Sequence, residues 1–109
     1  MSNGLAWLLL VLSGATDVLW AIATKQSEGY ARPGWALLSL LSLAGFVALL
    51  SQALKVLPLG TAYAVWTGIG AVGSVLAGLL LFGETVSLAK AIALLAVIGG
   101  VIGLKLLPA

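Results

Sequence analysis

The sequence predicts an all-α integral membrane protein of four transmembrane helices, paired with an oppositely inserted copy of itself as an antiparallel, dual-topology homodimer. Three observations lead there. Of 109 residues, 62% are hydrophobic and only 7% are charged. A soluble domain carries about 25% charged residues, so this chain has too little polar surface to face water all round. The apolar residues gather into four runs, each close to the ~20 residues that a bilayer-spanning helix needs. The Lys and Arg residues outside the runs divide almost evenly, with Lys55 and Lys105 on one side and Lys25, Arg32 and Lys90 on the other. Loop Lys and Arg set the orientation of insertion. Without a bias between the sides, copies should insert both ways, and opposite copies can pair.

The first run covers about residues 4–24. Met1-Ser2-Asn3 in front of it lacks the basic region of a secretory signal, so the run is expected to stay as a span. A polar turn, Lys25 to Gly34, follows, punctuated by Gly29, Pro33 and Gly34 as loops are. The second run covers about 35–54, and the turn Lys55-Val56-Leu57-Pro58 leads to a third at about 59–82. Gly83-Glu84-Thr85-Val86-Ser87 separates it from the fourth, about 88–107, which Pro108-Ala109 follow. Backbone groups in hydrocarbon must bond within their own segment, so the runs are helices. A barrel would show short segments of alternating polarity, and none occurs. No loop is long enough to fold separately, so residues 1–109 read as a single transmembrane domain.

Composition also narrows the chemistry. The chain has neither cysteine nor histidine, which removes disulfides, thiolate and imidazole metal sites and the usual neutral-pH titrating group. No metal and no cofactor are expected. A net charge of +2, dispersed along the chain, gives no footprint for nucleic acid. No nucleophile–base pair is visible, which argues against an enzyme. The expected partners at this level are membrane lipid and a second copy of the chain.

Asp17 stands in the middle of the first run. A charge near the centre of a membrane helix costs ~2.5–3.5 kcal/mol on insertion scales, so it is rare and usually functional. Its helical neighbours are Ser13, Gly14, Trp20, Ala21 and Thr24, a small and polar face apart from Trp20. Such a face suits a cavity wall, and equally a stripe where helices pack closely. On the third helix, Tyr63, Trp66, Thr67, Gly70 and Ser74 share one face. Aromatic rings beside an acid make a good cation site. A belt tyrosine with a packing tryptophan is the plainer reading, but Trp66 lies several residues inside the span. Gly68, Gly70 and Gly73 permit a kink or a close backbone approach. On the fourth helix, Gly99 and Gly103 form a GxxxG pair, and Ala96 with Gly100 a second small pair, spacing that suits dimer packing.

These residues carry a resemblance. Asp17-Val18-Leu19-Trp20-Ala21-Ile22-Ala23-Thr24-Lys25, then Ser27-Glu28-Gly29-Tyr30, then the unbroken stretch from Leu57-Pro58-Leu59-Gly60-Thr61 through Tyr63, Trp66, Thr67 and Gly68 to Gly73, resemble the small multidrug resistance family. The terminal Gly103-Leu104-Lys105 is also similar, and the likeness covers essentially the whole chain. It implies a proton-coupled exporter, an antiparallel homodimer of four-helix chains in a bacterial inner membrane. Trp20 and the Gly60-to-Gly70 run look like the guanidinium-exporter subclass. Two positions depart from the family pattern: Asp17 stands where glutamate is usual, one methylene shorter, and Phe46 stands where a serine usually bonds the acid. Phe46 would reshape the site for a more apolar cation.

The expected mechanism is exchange, in which two Asp17 carboxylates share a cavity between protomers while protons and a small cation compete for them. Ser13, Trp20, Phe46, Tyr63, Trp66 and Thr67 would complete the binding site, and Gly99, Gly100 and Gly103 the dimer packing. Alternating access would follow from two protomers exchanging conformations. Three rivals remain: a broad exporter of quaternary ammonium cations, favoured by Phe46; one half of a heterodimer; and a non-transporting scaffold, which would leave a membrane-embedded acid without a purpose.

Overall fold

The computed structural model describes residues 1–107; Pro108 and Ala109 lie outside the described residues. The chain forms α1 (Asn3–Gln26), α2 (Pro33–Ala53), α3 (Leu59–Leu81) and α4 (Leu88–Leu106). Each helix is long and apolar enough to cross a membrane.

Local chemistry sets the helix ends. Ser2 caps α1 by accepting from the Leu5 N–H at 3.1 Å, and Ser87 caps α4 by accepting from the Lys90 N–H at 3.2 Å. α1 runs two residues beyond its apolar stretch, through Lys25 and Gln26, where a basic side chain complements the negative end of the helix dipole. α2 starts at Pro33, earlier than hydropathy alone implies. Proline is at home in the first helical position because no intrahelical partner awaits an N–H there.

The helices do not close into a bundle. α1 packs against both α2 and α3, while α4 packs mainly against α3. The chain measures 43 × 35 × 17 Å, and the last dimension is less than two helix diameters of about 10–12 Å. The result is an open slab, ordered α2, α1, α3, α4. Its dense apolar core lies at one end, where Ala6 and Leu10 of α1 meet Ala53, Leu57, Ala62 and Val65.

Midway along, small residues bring α1 and α3 together. A methyl at Gly14 would lie 2.6 Å from the Ile69 Cγ2, and methyls at Gly70 and Gly73 would collide with the Asp17 carboxylate and the Val18 side chain. In lipid, which is as apolar as leucine, this close van der Waals fit is a main source of helix association. Gly70 and Gly73 of α3 therefore serve close approach to α1 within one continuous helix. Gly99, Gly100 and Gly103 on α4 differ, because a methyl at any of them would meet nothing within 4 Å. α4 has no buried residue at all.

Candidate functional site

Asp17 is half-buried in the middle of α1, with its carboxylate against the backbone of Gly70. Only glycine leaves room for it there. No hydrogen bond reaches that carboxylate among the described residues, so both oxygens are free for a proton or a cation.

A row of rings begins one turn along α1 from it. Trp20, one turn from Asp17 on α1, meets Phe46 edge-on with ring centroids 5.9 Å apart. Phe46 stacks on Trp66 at 5.5 Å, and Trp66 in turn lies 5.5 Å from Tyr63. Three helices thus supply one continuous aromatic wall. Phe46 is its buried centre at 6% exposure, whereas Tyr63 at the far end is exposed. The indole N–H groups of both Trp20 and Trp66 are buried without a hydrogen-bond acceptor. A buried donor left unpaired is costly.

The other residues singled out from the sequence divide. Ser13 is fully buried, and its hydroxyl donates to the Phe46 carbonyl at 2.8 Å, which pins α2 to α1 just below the acid. Its hydroxyl proton is thereby committed to Phe46 in this state. Thr67 is exposed, although Gly70, one turn further along the same face of α3, is buried.

One cluster escaped the sequence reading. At the loop end of α1, the Thr24 hydroxyl lies 2.7 Å from that of Ser39, and the Tyr30 hydroxyl lies 2.9 Å from the same Ser39 oxygen. The Ser39 hydroxyl, then that of Thr24, holds the Tyr30 phenol below its usual pKa. Thr24 was on the Asp17 stripe, so half of the signal was present; Ser39 and Tyr30 become neighbours only once α2 folds back.

Grooves of about 320 and 330 Å³ run beside α4, the first lined by Trp7, Val11, Ile69 and Val101 and the second by Gly68, Val72 and Ile98. Both are apolar and neither is lined by Asp17.

Residues 5–98 match the family model described as Small Multidrug Resistance protein. The chain belongs to the small multidrug resistance family. It is 49% identical over 102 residues to a protein named guanidinium exporter from Yersinia pestis, covering 94% of this chain and 98% of that one. Proteins of the same name from Salmonella typhimurium strain LT2 and from Citrobacter freundii are each 43% identical over 102 residues, covering 94% of this chain and 97% of theirs. As a member of this family with four spanning helices, the protein is a multi-pass bacterial membrane protein. These relatives are all named as exporters.

Proposed function

We propose that this small multidrug resistance protein exports guanidinium-type cations in exchange for protons, with Asp17 as the group for which both compete. The observation that carries this reading is the carboxylate seated against Gly70, with the aromatic wall of Trp20, Phe46, Trp66 and Tyr63 starting one turn away on each of the two helices that meet there. Guanidinium is planar and presents paired N–H groups that match two carboxylate oxygens. The same plane stacks on aromatic faces. The names of the relatives support the same substrate. Protonation of Asp17 removes the charge that holds the cation, so proton entry and cation release are one event. The exchange needs no cofactor beyond the proton.

The working unit in this reading is an antiparallel homodimer in the inner membrane. A slab 17 Å thick, an α4 with nothing buried, and open glycines at Gly99, Gly100 and Gly103 support a second copy that completes the cavity. The near-even loop charge supports opposite insertion. Labelling the C-terminus from each side of intact cells should find both populations, and a single orientation would reject this assembly.

Phe46 favours a second, narrower reading. Its ring closes the gap between Trp20 and Trp66 where the family pattern has a hydroxyl, so alkyl or aromatic substituents on the cation should gain from burial at roughly 0.8 kcal/mol per CH₂. Substituted guanidinium ions are the expected best substrates, and quaternary ammonium ions the competitor. Substrate-evoked currents from purified protein in liposomes test this, comparing wild type with Phe46→Ser. Guanidinium currents should exceed those of tetraalkylammonium in both. If tetraalkylammonium leads in wild type and Phe46→Ser reverses the order, the guanidinium assignment is wrong and Phe46 is the cause.

A further inference from the structure

Asp17, Trp20 and Thr24 follow one another up a single face of α1, at spacings of three and four residues. From the acid toward the loop, the next turn offers the unpartnered indole N–H of Trp20, and the turn after that offers the Thr24 hydroxyl. This polar line meets an obstacle at the membrane face. The Thr24, Ser39 and Tyr30 hydroxyls are joined there by contacts of 2.7 and 2.9 Å, centred on Ser39, which is wholly buried between α1 and α2.

The loop that brings Tyr30 back over the helices is held in an unusual conformation. Glu28, Gly29 and Tyr30 have φ of 51, 73 and 67°, three consecutive left-handed residues of which two carry side chains that disfavour it. Ser27 braces the loop, donating to the Thr24 carbonyl at 2.7 Å and accepting from the Tyr30 N–H at 3.1 Å. Strain of this kind persists only where the surroundings hold it, and it relaxes when they let go. Tyr30 is itself 47% exposed, so it can swing outward without leaving a core. The basic groups nearby are tied elsewhere, and Glu28 is exposed: the Lys25 ammonium lies 5.2 Å from the centroid of the Phe82 ring, and Arg32 donates to the Gln26 carbonyl at 3.4 Å.

We infer that the Thr24–Ser39–Tyr30 cluster is a gate, shut here, that separates Asp17 from water on the side of the α1–α2 loop, with Tyr30 as its moving part. Departure of the Tyr30 hydroxyl leaves Ser39 bonded to Thr24 alone and relaxes residues 28–30. It also exposes a line of donors and acceptors leading past Trp20 to the acid. The inference rests on the exchange reading in one respect, that Asp17 must meet water at a membrane face.

The test does not depend on transport. The chain is free of cysteine, so Ala21→Cys, one turn above Asp17 on the same helix, gives a single reporter. Its reaction rate with a membrane-impermeant sulfonated thiol reagent is measured for protein in liposomes. Backgrounds are wild type, Tyr30→Phe, Thr24→Val and Thr24→Ser. Tyr30→Phe and Thr24→Val each remove a hydroxyl while keeping shape, and each should speed labelling roughly threefold to tenfold, the population shift set by losing one hydrogen bond between membrane helices. Thr24→Ser keeps the hydroxyl and should label at the wild-type rate. Equal rates in all four would overturn the gate, and so would equal acceleration by Thr24→Ser, which would mean loosened packing. Should Thr24→Val fail to fold, Tyr30→Phe at its exposed site decides alone. Absence of guanidinium transport by wild type would sink the exchange reading while leaving these labelling rates to judge the gate.

Discussion

The two ends of the α1–α2–α3 layer are held by different forces. At the end bearing the α2–α3 turn, Ala6, Leu10, Ala53, Leu57, Ala62 and Val65 interlock, and Trp7, Leu50, Ile69 and Leu104 pack around them. At the end bearing the α1–α2 loop, the corresponding place is taken by the hydroxyls of Thr24, Ser39 and Tyr30. Apolar interlocking is the sum of many small contacts and has no single point of release. A hydroxyl cluster rests on a few directional bonds and can open by one side-chain rotation. Asp17 lies between the two, against Gly70, so one end is suited to act as a hinge and the other as a door.

The largest expected effect lies at the packed end. Leu10 is completely buried. Leu10→Ala should destabilise the protein by about 2 kcal/mol, the low end of the range for buried leucines, because lipid already solvates a leucine and only the cavity remains to be counted. Thr24→Val at the other end should cost only about 0.6 kcal/mol. Unfolding in mixed micelles with increasing denaturing detergent measures both. Equal costs would erase the contrast between the ends.

The next effect lies between them. Gly70→Ala puts a methyl into the Asp17 carboxylate. The acid must turn away from the aromatic wall, at the price of roughly 1–3 kcal/mol of overpacking. Cation affinity should fall about tenfold or more, read by quenching of tryptophan fluorescence with a guanidinium salt. Unchanged affinity would show that the carboxylate does not bind from the position seen here.

The smallest effect concerns the door itself. Tyr30 should ionise below the usual tyrosine value, because the Ser39 and Thr24 hydroxyls stabilise its phenolate. With a lowered folded-state pKa, its contribution to stability is full above the usual tyrosine value and disappears as the pH falls through the lowered one. Alkaline pH should therefore tighten this contact. An ultraviolet titration of the Tyr63→Phe variant, which leaves Tyr30 as the only tyrosine, should show an early ionisation that Ser39→Ala moves back up.

The layout was legible in the sequence to the extent that it depends on length and polarity. The spans follow from hydropathy, and the helical spacing of Asp17 to Trp20 and of Tyr63 to Trp66 places each pair on one face. What could not be read depends on the register between helices. Phe46 drew notice as a departure from a family pattern, but its seat between Trp20 and Trp66 requires α2 to pack at one height on α1, a height set in part by the Ser13 hydroxyl on the Phe46 carbonyl. Gly70 read as a packing or kinking residue, and only the α1–α3 contact shows that it makes room for the carboxylate. Gly99, Gly100 and Gly103 read as packing residues, and within one chain they pack against nothing. The hydroxyl cluster was the least legible, since it joins residues from two helices and a loop whose left-handed run at Glu28 and Tyr30 has only Gly29 as a signal.

The central claim is that one carboxylate, Asp17, serves both proton and cation. Its most direct test is pH-gradient-driven guanidinium transport in liposomes by wild type and by Asp17→Asn, which keeps the shape of the side chain and cannot exchange a proton. The account predicts accumulation against a gradient for wild type and none for a folded, dimeric Asp17→Asn. Gradient-driven accumulation by Asp17→Asn at the wild-type rate would contradict it.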